Sequence, residues 1–248
     1  MKLSDIIVGK RPKPIRLMIY GQRGVGKTTF AAKAPKPVFI ATEDGTAHLD
    51  VARFPIPKLW EELLQCLSVL AKEKHEYQTI VIDSLDWVEQ LAHGQIAKDN
   101  GVKRVADLPF GQGYKQAAEL MFVFLKYLNV LYNQGLHIIL IAHSDIKSFN
   151  NPAGHSYDMY QTKINAQAVA PFKEWCDIVG FAYFETHTTQ IREGGAQKVI
   201  GESYGKRVLI TEQQAFCEAK NRYNLSNPLP LSWQKISEGY SLSMQGAN

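Results

Sequence analysis

Residues 15–29, IRLMIYGQRGVGKTT, decide the fold. The apolar run 15–20 ends at a glycine, as a buried strand does at a sharp turn. Beyond it, Gly21, Gly26, Lys27 and Thr28 satisfy the spacing G-x-x-x-x-G-K-[ST] in full. Glycines at such spacing let the backbone aim successive N–H groups at one anion, and the helix that follows adds the positive end of its dipole. Lys27 has the reach for the outer phosphates and the Thr28 hydroxyl suits Mg²⁺. A plain turn between strand and helix needs neither. The stretch Gly21, Gln22, Arg23, Gly24, Val25, Gly26, Lys27, Thr28 and Thr29 is therefore expected to seat a nucleoside triphosphate with Mg²⁺.

Outward from this loop, strands and helices alternate. TTFAAKA predicts a short helix, stopped by the prolines of PKP. VFIATE (38–43) predicts a strand, and residues 58–75 a helix with Leu59, Leu63, Leu67 and Leu70 on one face. TIVID (79–83) is nearly all β-branched, which suits a strand buried on both sides. A long apolar helix over 116–135 leads to a further strand, HIILIAH (137–143), with Gly135 between as the helix cap. DIVGFAYFE (177–185) and KRVLITE (206–212), joined through EGG, read as later strands. The pattern predicts an α/β fold: a mainly parallel central sheet with helices on both faces and a C-terminal antiparallel extension. One domain over 15–235 is expected, between a basic arm (1–14) and a C-terminal tail (236–248).

A Mg·nucleotide site also needs carboxylates at strand ends. Asp83 closes TIVID and is expected, with Thr28, to hold the metal. The residue after it is Ser84, so the group that orients or deprotonates an attacking water must come from elsewhere. Glu43, at the end of VFIATE, is the candidate; Asp44 is its rival, with a shorter side chain suited to capping a turn. His143 ends the strand 137–143, where ligands of open α/β sheets bind, and could sense the terminal phosphate or serve the strand end structurally.

Composition bounds the rest. The chain has 248 residues, 45% apolar and 21% charged, within the range of ordinary globular domains. No run resembles a membrane span or a secretory signal, so no membrane partner and a cytoplasmic location are expected. Cys66, Cys176 and Cys217 lack metal-ligand spacing and read as reduced core thiols. The net charge is +4, with Lys2, Lys10, Arg11, Lys13 and Arg16 gathered in the first 16 residues against Asp5 alone. Such an arm can bind nucleic acid or simply be solvated.

With these motifs in order, the chain resembles the RecA-like P-loop ATPases over roughly residues 15–225. The motifs are GQRGVGKTT, VFIATEDG, TIVIDSLDW and HIILIAHS. LPFGQGY (108–114) and EWCDIVGFAYFE (174–185) are similar to stretches of small phage-encoded, core-only members that act in single-strand annealing and recombination. The resemblance implies a sensor strand between the two strands that carry the nucleotide motifs. It implies ATP hydrolysis on single-stranded DNA, in the cytoplasm of a bacterial host if the gene is a phage's. It also implies partners: the DNA, further copies of the chain in a ring or filament, and, as a further candidate, a single-strand-binding protein. EAKNRYN (218–224) is similar to the family's K-x-R element, so Lys220 and Arg222 are carried over as cations reaching a neighbouring subunit's nucleotide. In the family the segment after the sensor strand touches DNA. Here 144–163 reads as a long polar loop, where Lys147 and Lys163 could meet phosphates and Tyr157 and Tyr160 could stack on bases. Asp145 and Asp158 cancel that loop's lysine charge, so a nucleotide lid or an interface loop is the alternative. A helicase-type motor and a nucleotide-gated binding module share the core. A small-molecule kinase fits poorly, because 144–163 contains no arginine to clamp a phosphoryl group.

Overall fold

The computed structural model describes residues 2–193 and 196–245. The chain runs β1 (Arg16–Gly21), α1 (Lys27–Ala31), β2 (Pro37–Ala41), β3 (Ala52–Arg53), α2 (Trp60–Lys72), β4 (Thr79–Asp83), α3 (Leu85–Asp99) and α4 (Gln112–Asn133). It continues through β5 (His137–Phe149), β6 (Tyr157–Thr162), α5 (Ala166–Trp175), β7 (Ile178–Glu193), β8 (Ala196–Ile210), β9 (Lys220–Asn221), β10 (Leu229–Pro230) and α6 (Trp233–Gln245). The sheet order is β10-β8-β7-β1-β5-β4-β2-β3. From β7 to β3 the neighbours pair in parallel, while β8 and β10 extend the sheet antiparallel, as expected.

Alternation along the strands makes two cores. Met18 and Tyr20 of β1, Ile80 and Ile82 of β4, and Ile138 and Leu140 of β5 face α2, α3, α4 and α5. Leu17, Ile19, Val81, Ile139 and Ile141 face the other way, onto Phe30 of α1 and Trp233 and Ile236 of α6. Successive side chains of a strand point to opposite faces, so a strand buried on both sides needs the unbroken apolar runs seen here. β5 lies between β1 and β4, so the strand ending near His143 sits between the one that feeds the glycine loop and the one that ends at Asp83.

Four differences from expectation have physical causes. Leu59 lies outside α2 and is 51% exposed; the buried stripe is Trp60, Leu63, Cys66, Leu67 and Leu70. Residues 144–163 are not a loop, because β5 runs on to Phe149 and pairs antiparallel with β6, Ser144 opposite Thr162 and Phe149 opposite Tyr157. Polar side chains along most of both strands hid this ribbon, in which only Met159, Tyr160 and Thr162 of β6 turn inward. The boundary drawn at 235 falls inside α6, whose Trp233 and Ile236 are buried; the basic arm also docks there, with Lys13 N–H donating to Tyr240 Oη and Tyr240 O–H to the Lys13 carbonyl. Finally, α3, for which no element is expected above, packs Leu85, Val88, Ala92 and Ile96 into the core. Of the EGG connection, Gly194 and Gly195 lie outside the described residues, as do the last three residues of the tail.

Candidate nucleotide-binding and hydrolytic site

At the carboxyl ends of β1, β2 and β4, and where β5 departs from the parallel sheet near His143, the chain leaves a cavity of about 870 Å³. Its floor is the loop between β1 and α1, which contributes Arg23, Gly24 and Gly26, with the first turn of α1, which contributes Lys27, Thr28 and Thr29. Gly26 precedes α1 with φ 99°, a left-handed conformation that side chains resist, and a Cβ there would stand 2.9 Å from Arg207 Nη1. Gly21 and Gln22 contribute carbonyls rather than lining: both accept from the Lys27 ammonium at 2.9 Å. Val25 is fully buried and pins the loop to the core beneath it.

Lys27 is only 6% exposed, and burial pushes its ammonium down to about 8, against the pull of Asp83, Asp86 and Glu43. Asp83 moves the opposite way for the same reason. Burial raises its carboxyl, Glu43 adds to the rise, and the Thr28 hydroxyl and Lys27 lower it. Thr28 O–H donates to Asp83 Oδ2 at 2.7 Å, which brings together the hydroxyl and carboxylate named as metal ligands.

The neighbouring strand end is clamped to this one. Thr42 N–H donates to the Asp83 carbonyl at 2.8 Å, while Thr42 Oγ1 donates to the Ser84 carbonyl and accepts from Ser84 N–H. Glu43 is thereby fixed beside Asp83 on the cavity wall. Its Oε2 accepts from Trp87 Nε1 at 2.8 Å, and its Oε1 is 3.8 Å from His143 Nε2. Asp44 does not line the cavity, and Glu43 does.

The first turns of α3 supply residues that sequence reasoning missed. Asp86, Trp87, Glu89 and Gln90 all line the cavity. Asp86 Oδ2 accepts from the backbone N–H of His143 at 2.8 Å, and Glu89 Oε1 accepts from Asn165 N–H at 3.0 Å. Burial, with Asp86 nearby, raises the Glu89 carboxyl. The one signal was adjacency: SLDWVEQ follows β4 directly, so α3 starts at the same edge of the sheet.

Lys163 lines the cavity, and its N–H donates to the His143 carbonyl at 2.9 Å. The other loop residues separate. Tyr157 is exposed and meets Phe149 at 5.4 Å between ring centroids. Tyr160, by contrast, is packed on the core with its ring stacked on Phe181 at 4.9 Å, which corrects the expectation that it could stack on bases. Lys147 is corrected likewise, because its ammonium donates to the carbonyls of Thr162 and Ile164, tying the ribbon's two strands together.

Lys220 and Arg222 lie away from their own chain's cavity. Lys220 Nζ donates to the carbonyls of Lys173 and Glu174 at the end of α5, where a cation complements the helix dipole. Arg222 donates to Asp177 Oδ1 at 3.1 Å and to the Glu174 carbonyl, so in this chain neither cation is free. Asp177 is shared with Arg16, whose Nε and Nη2 grip both of its oxygens at 2.9 and 2.6 Å and, despite burial, hold its carboxyl below the usual range.

A second cavity of about 360 Å³ meets the first at Gly26 and Thr29, walled by Lys33 just after α1, Arg207 of β8 and residues 231–234. It lies on the β8 and β10 side of the loop, opposite the carboxylates.

The family described as AAA domain (AAA_24) matches residues 13–223, which spans every motif above. The chain belongs to this family. It carries an AAA-type P-loop ATPase domain. A curated relative, the SPbeta prophage-derived uncharacterized protein YorG of Bacillus subtilis (strain 168), is 26% identical over 132 residues. That alignment covers 52% of this chain and 40% of the relative, so the chain spans less than half of that protein's length. Among solved structures, the chain is similar to a KaiC-like protein, PH0186, of Pyrococcus horikoshii OT3, with a TM-score of 0.39 and 14% identity over 88% of this chain and 85% of that one. No helix among the described residues is long and apolar enough to cross a membrane.

Proposed function

We propose that this AAA domain binds Mg·ATP and hydrolyses it, and that hydrolysis is coupled to single-stranded DNA in recombination, annealing or repair. The observation that carries the hydrolytic half is the contact between Thr28 Oγ1 and Asp83 Oδ2 at 2.7 Å, beside a buried Lys27. A hydroxyl and a carboxylate, both hard oxygen donors, suit Mg²⁺. A buried ammonium now resting on two carbonyls suits phosphate oxygens that would replace them. When bound, Mg²⁺ neutralises phosphate charge.

The chain's own groups do the rest. Backbone N–H groups at the start of α1 hold the β-phosphate, Lys27 reaches the terminal one, and Glu43 orients and deprotonates the attacking water. With the terminal phosphate at Asp83, the nucleoside leaves over Gly26 and Thr29 into the second cavity, beside Arg207 and Ser232. His143 reads the phosphate from the point where β5 leaves the parallel sheet.

For the DNA half, support comes from the ribbon that prolongs the sensor strand. Its exposed Phe149 and Tyr157 offer stacking surface, since bases stack on aromatics without regard to sequence, and exposed Ile146 adds apolar surface beside them. Arg222, half exposed and held by one carboxylate oxygen and one carbonyl, can be released to a neighbouring copy's nucleotide, completing that site in a ring or filament. ATP turnover measured with and without single-stranded DNA tests the proposal. Turnover is expected to rise with DNA and to vanish in Lys27→Ala. Binding without turnover under both conditions would replace hydrolysis by a nucleotide-gated binding role, and turnover indifferent to DNA would remove the DNA half.

A further inference from the structure

Asp86 is a cavity-lining carboxylate that neither the metal nor the water requires. Its Oδ2 accepts the His143 backbone N–H at 2.8 Å and also lies 3.3 Å from His143 Nδ1. Its Oδ1 is buried with no hydrogen-bond partner. Across the ring, Nε2 is 3.8 Å from Glu43 Oε1. The imidazole is therefore suspended between two carboxylates, one on each side.

An ionised carboxylate only accepts hydrogen bonds. With Oδ2 only 3.3 Å away, a hydrogen on Nδ1 is favoured over a bare lone pair, whether the ring is neutral or charged. In the neutral ring the lone pair is then on Nε2, and Glu43 Oε1 at 3.8 Å is beyond hydrogen-bond distance, which leaves Nε2 open to the place assigned to the terminal phosphate and its water. The partner of one ring nitrogen sets the protonation of the other. The backbone bond to the same oxygen keeps Asp86 in place, because leaving would strand a strand-end N–H. We propose that Asp86 is a positioning residue: it holds His143 as the Nδ1–H form with Nε2 presented to Glu43 and the phosphate end of the cavity. Trp87, one residue on, holds Glu43 from the opposite side through Nε1–H, so a single helical turn orients both side chains. The inference rests on the hydrolytic reading above for its consequence, though not for its geometry.

The protein has seven histidines, so selective ¹⁵N-histidine labelling gives a short spectrum, in which His143 is identified by its loss in His143→Gln. Above the titration range the His143 signals should show hydrogen on Nδ1 and a bare Nε2. Asp86→Leu, similar in size but without an acceptor, should lose that preference and lower kcat roughly tenfold or more while leaving KM for ATP nearly unchanged. Asp86→Asn keeps an acceptor at Oδ2 and should restore the Nδ1–H form and most of the rate. A wild-type ring with its hydrogen on Nε2 overturns the proposal, as does an unchanged Nδ1–H form in Asp86→Leu. The wild-type spectrum decides the matter even if Asp86→Leu fails to fold. It also needs no ATP turnover, so a protein that fails to hydrolyse ATP but shows the Nδ1–H ring would refute the function and leave the positioning intact.

Discussion

Replacing Glu43 by Gln separates catalysis from architecture at this site. Glutamine has the same length and keeps a carbonyl oxygen that can accept the Trp87 Nε1–H bond, 2.8 Å in the wild type. The clamp of Thr42 on Asp83 and Ser84 involves the preceding residue and is untouched. What disappears is the capacity to take a proton from water. General-base catalysis contributes about 10²–10⁴ in rate, which corresponds to roughly 3–5 kcal/mol of transition-state stabilisation at about 1.36 kcal/mol per decade. Affinity should move the other way. Glu43 adds negative charge beside Asp83, as its raising effect on that carboxyl shows, so its neutralisation should hold Mg·ATP as tightly or more tightly. Single-turnover hydrolysis, with ATP binding followed by calorimetry, reads both quantities. A rate that survives Glu43→Gln intact would remove Glu43 as the base, and a loss of binding together with rate would make its role structural.

Three further outcomes are expected. Because burial pushes the Lys27 ammonium down to about 8, the nucleotide-free site loses its cation as pH rises through that value. Mg·ATP affinity should fall there, with proton uptake on binding detectable as a buffer-dependent heat, and a flat pH profile would refute it. Asp177 is 5% exposed and shared by Arg16 and Arg222, so Asp177→Ala, which leaves Arg16 uncompensated, should cost about 3–5 kcal/mol. Its folded pKa is depressed, so this stability is fully present above the ordinary carboxylate value and is lost as pH falls through the folded one; calorimetric melts of both proteins down to acid pH test it. Ser232→Phe should fill the second cavity and weaken ATP without weakening inorganic tripolyphosphate, and equal effects on both in a competition assay would put the nucleoside elsewhere.

Chemistry with fixed spacing was legible in the sequence. The glycine loop, Asp83 and the apolar strand runs declare themselves because backbone geometry and two-sided burial leave few alternatives. Glu43 was legible only by elimination, Ser84 occupying the place after Asp83. The ribbon Ser144–Thr162 was not legible. A two-stranded ribbon is held by backbone bonds to itself, and Lys147 looks like a solvent cation until β6 brings Thr162 and Ile164 under it. Tyr160 has the same history: only the pairing of the strands turns its ring onto Phe181. Asp86 and Glu89 were hidden for another reason. Acidic residues near a helix start are ordinary dipole partners, and only the fold shows them reaching across to His143 and Asn165 instead.

Those two bonds give α3 a place in any account of coupling. β5 runs without a break from the core to Phe149, so the sensor end and the exposed ribbon are one strand. Asp86 holds that strand at His143, and Glu89 holds the return strand just past its end, at Asn165. The helix carrying both carboxylates starts two residues after Asp83, and its Trp87 holds Glu43. A change in the cavity that moved Glu43 or His143 would therefore act on a helix fastened to both legs of the ribbon. The ribbon's own legs are tied by Lys147, so they move together. Coupling between the cavity and the ribbon would have α3 as the element that touches both, through its three side-chain grips.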